Sequence, residues 1–240
     1  MSSMQQISQG ASLTQQVTTM LRAAITAGEM RPDEHYSAVG LSGTLGVSRT
    51  PVREALQLLE KEGIVRIEKN RGVRVLQISL EDIVQIFEIR LLLEPPMAGR
   101  GAAEASAEQL SQIHELHQRI LERAADDDGP GTLKADKDFH LFLLGLAGNH
   151  RLVTMVDELR NLVLTRGLVT IPQARTALDL ARDRNDILGA VDARDPAAAE
   201  AAMRNHVLNT ARLLITAVCD GNPKLSAAPY LERIENLRVG

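Results

Sequence analysis

The apolar residues of this chain recur with a helical period from Ser79 to the carboxyl terminus. Ile113, Leu116 and Ile120, for example, are spaced three or four residues apart, which places them on one face of an α-helix. Aromatic residues make up 2% of the sequence and Trp is absent. The core must therefore be built from Leu, Ile, Val and Ala, of which Leu and Ala are strong helix formers. Residues 79–240 thus predict an all-α bundle of six or seven helices.

The first 78 residues change their period part way along. An apolar helical stripe begins at Leu13 and ends before Gly28, a short helix is predicted over 38–45, and a third begins after Ser48. Two β-branched runs, 64–67 and 73–78, then flank a turn that contains Asn and Gly, which is typical of a hairpin. Three helices followed by a hairpin predict a winged helix-turn-helix.

Two sequence features of the helical part predict where a helix bends or ends. Pro95-Pro96 predicts a kink or an interruption, because proline lacks an amide donor, and 126–131 predicts a loop. A single helix is predicted over 174–191. We divide the chain into a winged helix domain (1–78), an all-α domain (79–222) and a carboxy-terminal tail or helix (223–240).

The charge distribution differs between the two domains. The chain carries a net charge of −4, but residues 46–75 hold seven Lys/Arg against four Asp/Glu. Cys219 is the sole cysteine, which excludes an internal disulfide framework and a multi-cysteine zinc site. No apolar run approaches the roughly 20 residues of a membrane span, and the polar amino terminus lacks a signal peptide pattern. A cytoplasmic protein without membrane association is expected.

Segment 46–56 carries the clearest functional pattern. Ser48 occupies an N-cap position and Thr50 follows it, so hydroxyls and free backbone amides meet at a helix start, where phosphate binds well. Arg49 and Arg53 are four residues apart on one helical face, and arginine donates two hydrogen bonds to guanine. This pattern predicts a major-groove helix, although the arginine spacing alone is also typical of a solvated surface helix.

The chain from Leu13 to Val75 resembles the GntR family of bacterial transcription regulators. The resemblance includes the segment just described and two further stretches, Leu59-Glu60-Lys61-Glu62-Gly63 and Arg71-Gly72-Val73-Arg74-Val75. It implies that Arg49, Thr50 and Arg53 contact bases and phosphates, and that Arg71-Gly72 forms a wing tip that enters the minor groove. It also implies a homodimer on a palindromic operator in double-stranded DNA.

The all-α domain, which begins with Glu88-x-Arg90-x-x-x-Glu94, is similar to the FadR-like subgroup of that family. The FCD-type domain of this subgroup binds a small effector and often a divalent metal. Its metal ligands are an Asp-x-x-x-His pair on one helix and two later histidines. Asp136 and His140 match the pair, and His206 matches the last histidine. The resemblance thus implies a zinc, nickel or manganese site.

The remaining ligand position is occupied by Arg184, which cannot coordinate a cation because a guanidinium is permanently charged. Several alternatives stay open. Three ligands hold a weakened metal site, or the site is free of metal and Arg184 binds a small carboxylate effector with support from Arg90. A one-residue shift in the alignment would make Asn185 or Asp186 the third ligand.

We expect a ligand-responsive DNA-binding regulator, a repressor by family habit, and not an enzyme. Two alternatives remain. Asp136, His140 and His206 around a metal would form a hydrolase site with an activated water, although no accompanying general base or nucleophile motif is present. A regulator that responds to the metal itself is the other.

Overall fold

A computed structural model describes residues 12–26, 28–76, 79–165, 175–220 and 225–237. The chain forms two compact units, an amino-terminal one and a carboxy-terminal one. Residues 77, 78 and 221–224 lie outside the described ranges, so the exact domain limits at 78 and 222 stay predictions.

The amino-terminal unit is the predicted winged helix-turn-helix. Its described elements are α1 (Leu13–Thr26), β1 (His35–Tyr36), α2 (Ala38–Leu45), α3 (Arg49–Lys61), β2 (Val65–Glu68) and β3 (Gly72–Val75). Helix α1 packs against α3, and both bury an apolar stripe at helical spacing. Burial of those stripes is the main favourable contribution to this small core.

The sheet of this unit is antiparallel with the order β1-β3-β2. The predicted hairpin is confirmed, with Val65 opposite Val75 across β2 and β3. The sequence does not predict β1, because a two-residue strand has no period of its own. It forms by pairing with β3, which places Tyr36 opposite Val73.

The carboxy-terminal unit is helical throughout its described residues. Its elements are α4 (Leu80–Glu104), α5 (Ala107–Ala125), α6 (Gly129–Gly145), α7 (His150–Thr165), α8 (Ala177–Arg182), α9 (Asn185–Asp192), α10 (Pro196–Asp220) and α11 (Ala228–Glu235). The predicted all-α bundle is confirmed, although the described residues form eight helices where six or seven are predicted. None of the described helices has both the length and the apolar character that a membrane crossing requires.

Of the two outcomes predicted at Pro95-Pro96, a kink or an interruption, the interruption is wrong, because α4 continues through both prolines. A proline inside a helix costs about 3 kcal/mol. Helix α4 buries apolar residues on both sides of the prolines, among them Phe87, Leu91 and Ala98, and it packs against α6, α9, α10 and α11. This tertiary packing offsets the local penalty.

The predicted single helix over 174–191 is also wrong. Helix α8 ends at Arg182 and α9 begins at Asn185, so that Asp183 and Arg184 form a turn between them; residue 174 lies outside the described part. Arg184 is completely buried. The break therefore brings a charged side chain into the core, a position that no helical pattern predicts.

The predicted loop over 126–131 is shorter than expected. Helix α6 begins at Gly129 because the Asp128 side chain accepts a hydrogen bond from the Gly131 amide and Pro130 fits the first turn. The helix carries Asp136 and His140 inward, and both side chains are buried.

Gly72, the first residue of β3, has a φ of +95°. A Cβ at this position would overlap the main-chain carbonyl oxygen of Tyr36 on β1. We expect Gly72→Ala to lower the free energy of unfolding of the amino-terminal unit by about 2–4 kcal/mol, because the conformational and steric costs add. Hydrogen exchange of the β2 and β3 amides in low urea measures this loss.

Gly46→Ala is the matched control. Gly46 also has a positive φ, +66°, but a Cβ added to it would meet no other atom within 4 Å. We expect a loss of about 1–2 kcal/mol from the conformation alone. Equal losses in the two variants would contradict the proposed clash with β1.

Candidate functional sites

The start of helix α3 presents polar groups to solvent. Ser48 is the N-cap residue and its side chain makes no capping hydrogen bond, so its hydroxyl is not committed to the helix. Ser48, Arg49 and Thr50 are all exposed. The first backbone amides of a helix lack intrahelical acceptors and favour an anion, so this helix start can bind a phosphate.

Helix α3 separates its charged and apolar faces. Arg49 and Arg53 are exposed, and neither has an acidic partner within the described ranges. Val52, Ala55 and Leu59 on the other face are completely buried. The apolar face fixes the helix on its own unit and leaves two unneutralised guanidiniums facing outward, as the sequence predicts.

The turn of the hairpin is formed by Lys69, Asn70 and Arg71. Asn70 adopts a positive φ of 63°, and Arg71 is exposed. Gly72 follows at the start of β3, and its lack of a side chain is required by the close approach of Tyr36. The structure therefore gives Gly72 a role within the sheet, while the contact of Arg71 and Gly72 with DNA stays a prediction.

An ion-pair network that the sequence analysis missed supports this wing. Arg74 on β3 donates to Glu68 through Nε at 2.9 Å and to Asp33 through Nη1 at 2.9 Å. His35 on β1 lies 2.8 Å from the other Glu68 oxygen. Hydrogen bonds from His35 and then Arg74 lower the pKa of Glu68. The cross-strand pairing of His35 with Arg74 creates this network.

The carboxy-terminal unit contains a cluster of buried charged side chains, which we call the arginine cluster. Its members come from four helices and one turn, and each is at most 8% exposed: Arg90 and Glu94 on α4, Asp136 and His140 on α6, Arg160 on α7, Arg184 between α8 and α9, and His206 on α10. Charged residues are rarely buried unless they are paired, so the pairing within the cluster decides what it can do.

Asp136 is the centre of the cluster. Arg184 donates to its Oδ1 through Nε at 2.7 Å and also through Nη2. Arg160 donates to Oδ2 through Nη2 at 2.7 Å. Burial by itself raises the pKa of Asp136, but Arg184, His140 and Arg160 together hold this pKa well below its usual range. Asp136 is therefore an ionised carboxylate.

Glu94 is the second buried carboxylate. Arg90 donates to Oε1 through Nε at 2.5 Å, and His140 Nδ1 lies 3.0 Å from Oε2. Burial opposes ionisation, but Arg90, His140 and Arg160 lower the pKa of Glu94. Arg90 also stacks over the ring of Phe87 at 4.6 Å. Arg90 is thus held by its own helix.

Both histidines of the cluster are neutral at neutral pH. Burial and then Arg160 lower the pKa of His140 to about 4, and burial and then Arg184 lower the pKa of His206. Arg184 Nη1 donates to His206 Nδ1 at 2.8 Å. Because Glu94 accepts a hydrogen bond from the Nδ1–H group of His140, the Nε2 atom of this neutral histidine carries a lone pair.

Two polar atoms of the cluster have no hydrogen-bond partner among the described residues. They are His140 Nε2, an acceptor, and Arg160 Nη1, a donor. Arg160 Nη1 is 3.6 Å from Glu94 Oε2, which is too far for a hydrogen bond. Leaving a buried polar group unpaired costs about 1–3 kcal/mol, so a hydrogen-bond partner for either atom would stabilise the cluster.

The charges of the arginine cluster do not cancel. Arg90, Arg160 and Arg184 are cationic, whereas only Glu94 and Asp136 are anionic, and the histidines are neutral. The buried surplus is one positive charge. An anion is the ligand that such a surplus favours.

The three predicted metal ligands do not fit a metal in this arrangement. Asp136, His140 and His206 do come together, but the described part of the chain contains no group of three His, Cys, Asp or Glu residues arranged to hold an ion. The Arg184 guanidinium lies between Asp136 and His206. Asn185 and Asp186, the alternative ligands, are both exposed.

The sequence analysis missed Arg160 as a member of the site. Leu152, Val156, Arg160 and Val163 are all buried on one face of α7. An arginine at a core position of an apolar stripe is the signal that could have identified it, because such a cation needs buried partners. Its partners, Glu94 on α4 and Asp136 on α6, both lie in motifs of the sequence, but no sequence signal pairs either of them with Arg160.

Comparison with known proteins matches both units. Residues 13–75 match the family model described as bacterial regulatory proteins, gntR family, and residues 85–209 match the FCD domain. The HTH-type transcriptional regulator LutR of Bacillus subtilis is 28% identical, over 79% of this chain and 95% of that protein. The HTH-type transcriptional repressor GlaR of Escherichia coli is 26% identical, over 78% and 89%.

The fold is also similar to that of a solved structure. E. coli McbR/YncC superposes with a TM-score of 0.74 over 87% of this chain and all of that chain, at 20% sequence identity. This match concerns the fold alone.

Replacement of Arg184 by methionine tests the charge pairing. Asp136 then keeps Arg160 as its hydrogen-bonded cation, and we expect the free energy of unfolding to fall by about 3–5 kcal/mol at neutral pH. In the wild type, the pKa of Asp136 is lower in the folded state than in the unfolded state. The pairing therefore stabilises the folded protein fully at pH values above the unfolded pKa, and this stabilisation is lost as the pH falls towards the folded pKa. The deficit of Arg184→Met should therefore shrink below about pH 4.

Arg100→Met is the matched control, because Arg100 is 56% exposed and pairs with Glu104 one turn away. We expect it to change the free energy of unfolding by no more than about 0.5 kcal/mol. Urea titrations of both variants between pH 3 and 7 make the comparison. A deficit of Arg184→Met that does not vary with pH would attribute the loss to packing.

Proposed function

The chain belongs to the GntR family of bacterial regulatory proteins and carries an FCD domain, and from this premise we propose a repressor whose affinity for DNA is controlled by a small carboxylate. The protein is a transcriptional regulator and not an enzyme, which removes the hydrolase alternative. The repressor sign rests on relatives that are named repressors. Binding as a homodimer to a palindromic operator in the bacterial cytoplasm is part of the proposal.

The exposed face of α3 supports the DNA-contacting part of the proposal. Arg49 and Arg53 point from one helical face without acidic partners among the described residues, so their full positive charge is available to phosphates and guanine edges. Ser48 and Thr50 at the helix start add hydroxyls and amides for a phosphate. Arg71 at the hairpin turn supplies a further cation for the adjacent groove.

The DNA experiment uses a site selected with the wild-type protein from random-sequence duplex DNA. We expect Arg49→Ala and Arg53→Ala each to weaken binding to that site about 10- to 100-fold, because each base-reading arginine contributes about 1–3 kcal/mol. Fluorescence anisotropy measures the affinity, and circular dichroism confirms the fold.

Arg22→Ala is the control for this experiment, because Arg22 pairs with Glu62 and its replacement removes the same charge from the same unit. Its effect should stay within about threefold. Undiminished affinity of both α3 variants would defeat the proposal for this helix.

The surplus charge of the arginine cluster supports a carboxylate effector, and this is the observation that carries the proposal. Arg160 Nη1 is a buried donor without a hydrogen-bond partner in the described part of the chain, and a carboxylate would both satisfy it and neutralise the surplus. Arg184 adds a further positive charge to the arginine cluster, and the charge of Arg90 is balanced by that of Glu94.

The second unpaired atom restricts the chemical class of the carboxylate effector. His140 Nε2 is an acceptor, whereas the other ring nitrogen, Nδ1, lies 3.0 Å from the Glu94 oxygen that Arg160 Nη1 approaches at 3.6 Å. A ligand that has a hydroxyl donor as well as a carboxylate offers a partner of the right kind to each of the two atoms. We therefore propose a hydroxycarboxylate rather than a simple fatty acid. Such a ligand alters DNA binding only if it favours one arrangement of the DNA-binding units.

A thermal-shift screen tests the effector. Each hydroxycarboxylate is paired with the same acid without its hydroxyl, for example malate with succinate. We expect the hydroxylated member to bind at least about tenfold more tightly, because an unpaired buried acceptor is costly. Arg160→Gln should abolish the shift. Arg119→Gln, on the exposed surface of α5, should leave it unchanged. A full shift in Arg160→Gln would contradict the proposed site.

A further inference from the structure

The side chain of Arg184 has the contacts of a structural cation. It is the largest completely buried side chain in the described part of the chain. Its guanidinium binds a carboxylate oxygen of Asp136 and the Nδ1 lone pair of His206. Carboxylate oxygen and imidazole nitrogen are both ligand types of divalent transition metals. A cation already occupies the space between them.

From this geometry we infer that the guanidinium of Arg184 replaces a divalent ion in the FCD domain, so that this site is assembled without metal. The inference deepens the proposed effector function and concerns the same cluster. Arg184 lies in the turn between α8 and α9, Asp136 on α6 and His206 on α10. One covalently fixed cation thus joins three parts of the bundle, as a bound metal would.

The charge of the cluster makes an additional metal unfavourable. The cluster already carries one surplus positive charge, and a divalent ion would raise this surplus to three. A guanidinium has no lone pair to offer, and it takes up lone pairs of Asp136 and His206 that the ion would need. The ion would have to displace Arg184, a charged side chain that is completely buried.

The same geometry indicates how a metal site could be restored. His140 Nε2 has an unpaired lone pair and lies 3.9 Å from Asp136 Oδ1, and the His140 and His206 rings are 4.9 Å apart. Arg184→His would replace the guanidinium by an imidazole beside these three side chains. A carboxylate and three imidazoles suffice for a four-coordinate zinc or nickel site.

The experiment measures metal directly, with protein that carries no affinity tag and without DNA or any carboxylate. Wild type, Arg184→His and Arg184→Met are treated with EDTA, dialysed against Zn²⁺ or Ni²⁺, and analysed for bound metal and melting temperature. We expect no stoichiometric ion and no change in melting temperature for the wild type. Arg184→His should bind one ion and melt about 5–10 °C higher at about a hundredfold excess over the dissociation constant.

Arg184→Met is the matched control, because it removes the same charge without adding a ligand, and we expect it to bind an ion more weakly than Arg184→His does. A stoichiometric ion in the wild type that Asp136→Asn removes would overturn the inference, as would a folded Arg184→His protein that takes up no metal. If Arg184→His does not fold, the amount of metal bound by the wild type still tests the inference. A wild type that binds neither metal nor hydroxycarboxylate would refute the proposed effector and leave the inference standing.

Discussion

The carboxy-terminal unit depends on the pairing of a buried carboxylate, Asp136, with two guanidiniums. An isolated charge in the core would cost several kcal/mol, so Asp136 can be ionised only because Arg184 and Arg160 bind its two oxygens. These contacts connect α6 to α7 and to the turn before α9. They also carry more positive than negative charge into the core, which makes the same interaction a structural tie and a potential anion site.

Arginine serves two different purposes in this chain, and burial distinguishes them. Arg49 and Arg53 on α3 are exposed and lack acidic partners within the described ranges, so their charge is available to a polyanion. Arg184 is completely buried and its charge is largely committed to Asp136. A sequence pattern cannot separate these cases, because both kinds of arginine lie near helix starts.

Much of the architecture follows from local pattern. The stripes of α1 and α3, the short α2 and the hairpin are confirmed, because each element forms where its local period and turn residues place it. The predictions that failed concern tertiary contacts. Helix α4 continues through Pro95-Pro96 because neighbouring helices stabilise it, and β1 exists only through its pairing with β3.

The sequence by itself determined which residue types are present and how they are spaced: two arginines on one face of α3, an Asp136–His140 pair one helical turn apart, and an arginine where the family resemblance implies a histidine. Only the tertiary structure decided their partners. Arg184 meets Asp136 across 48 residues of chain and Arg160 meets it across 24. These pairings arise because separate helices pack into one core, where every buried charge must find a partner.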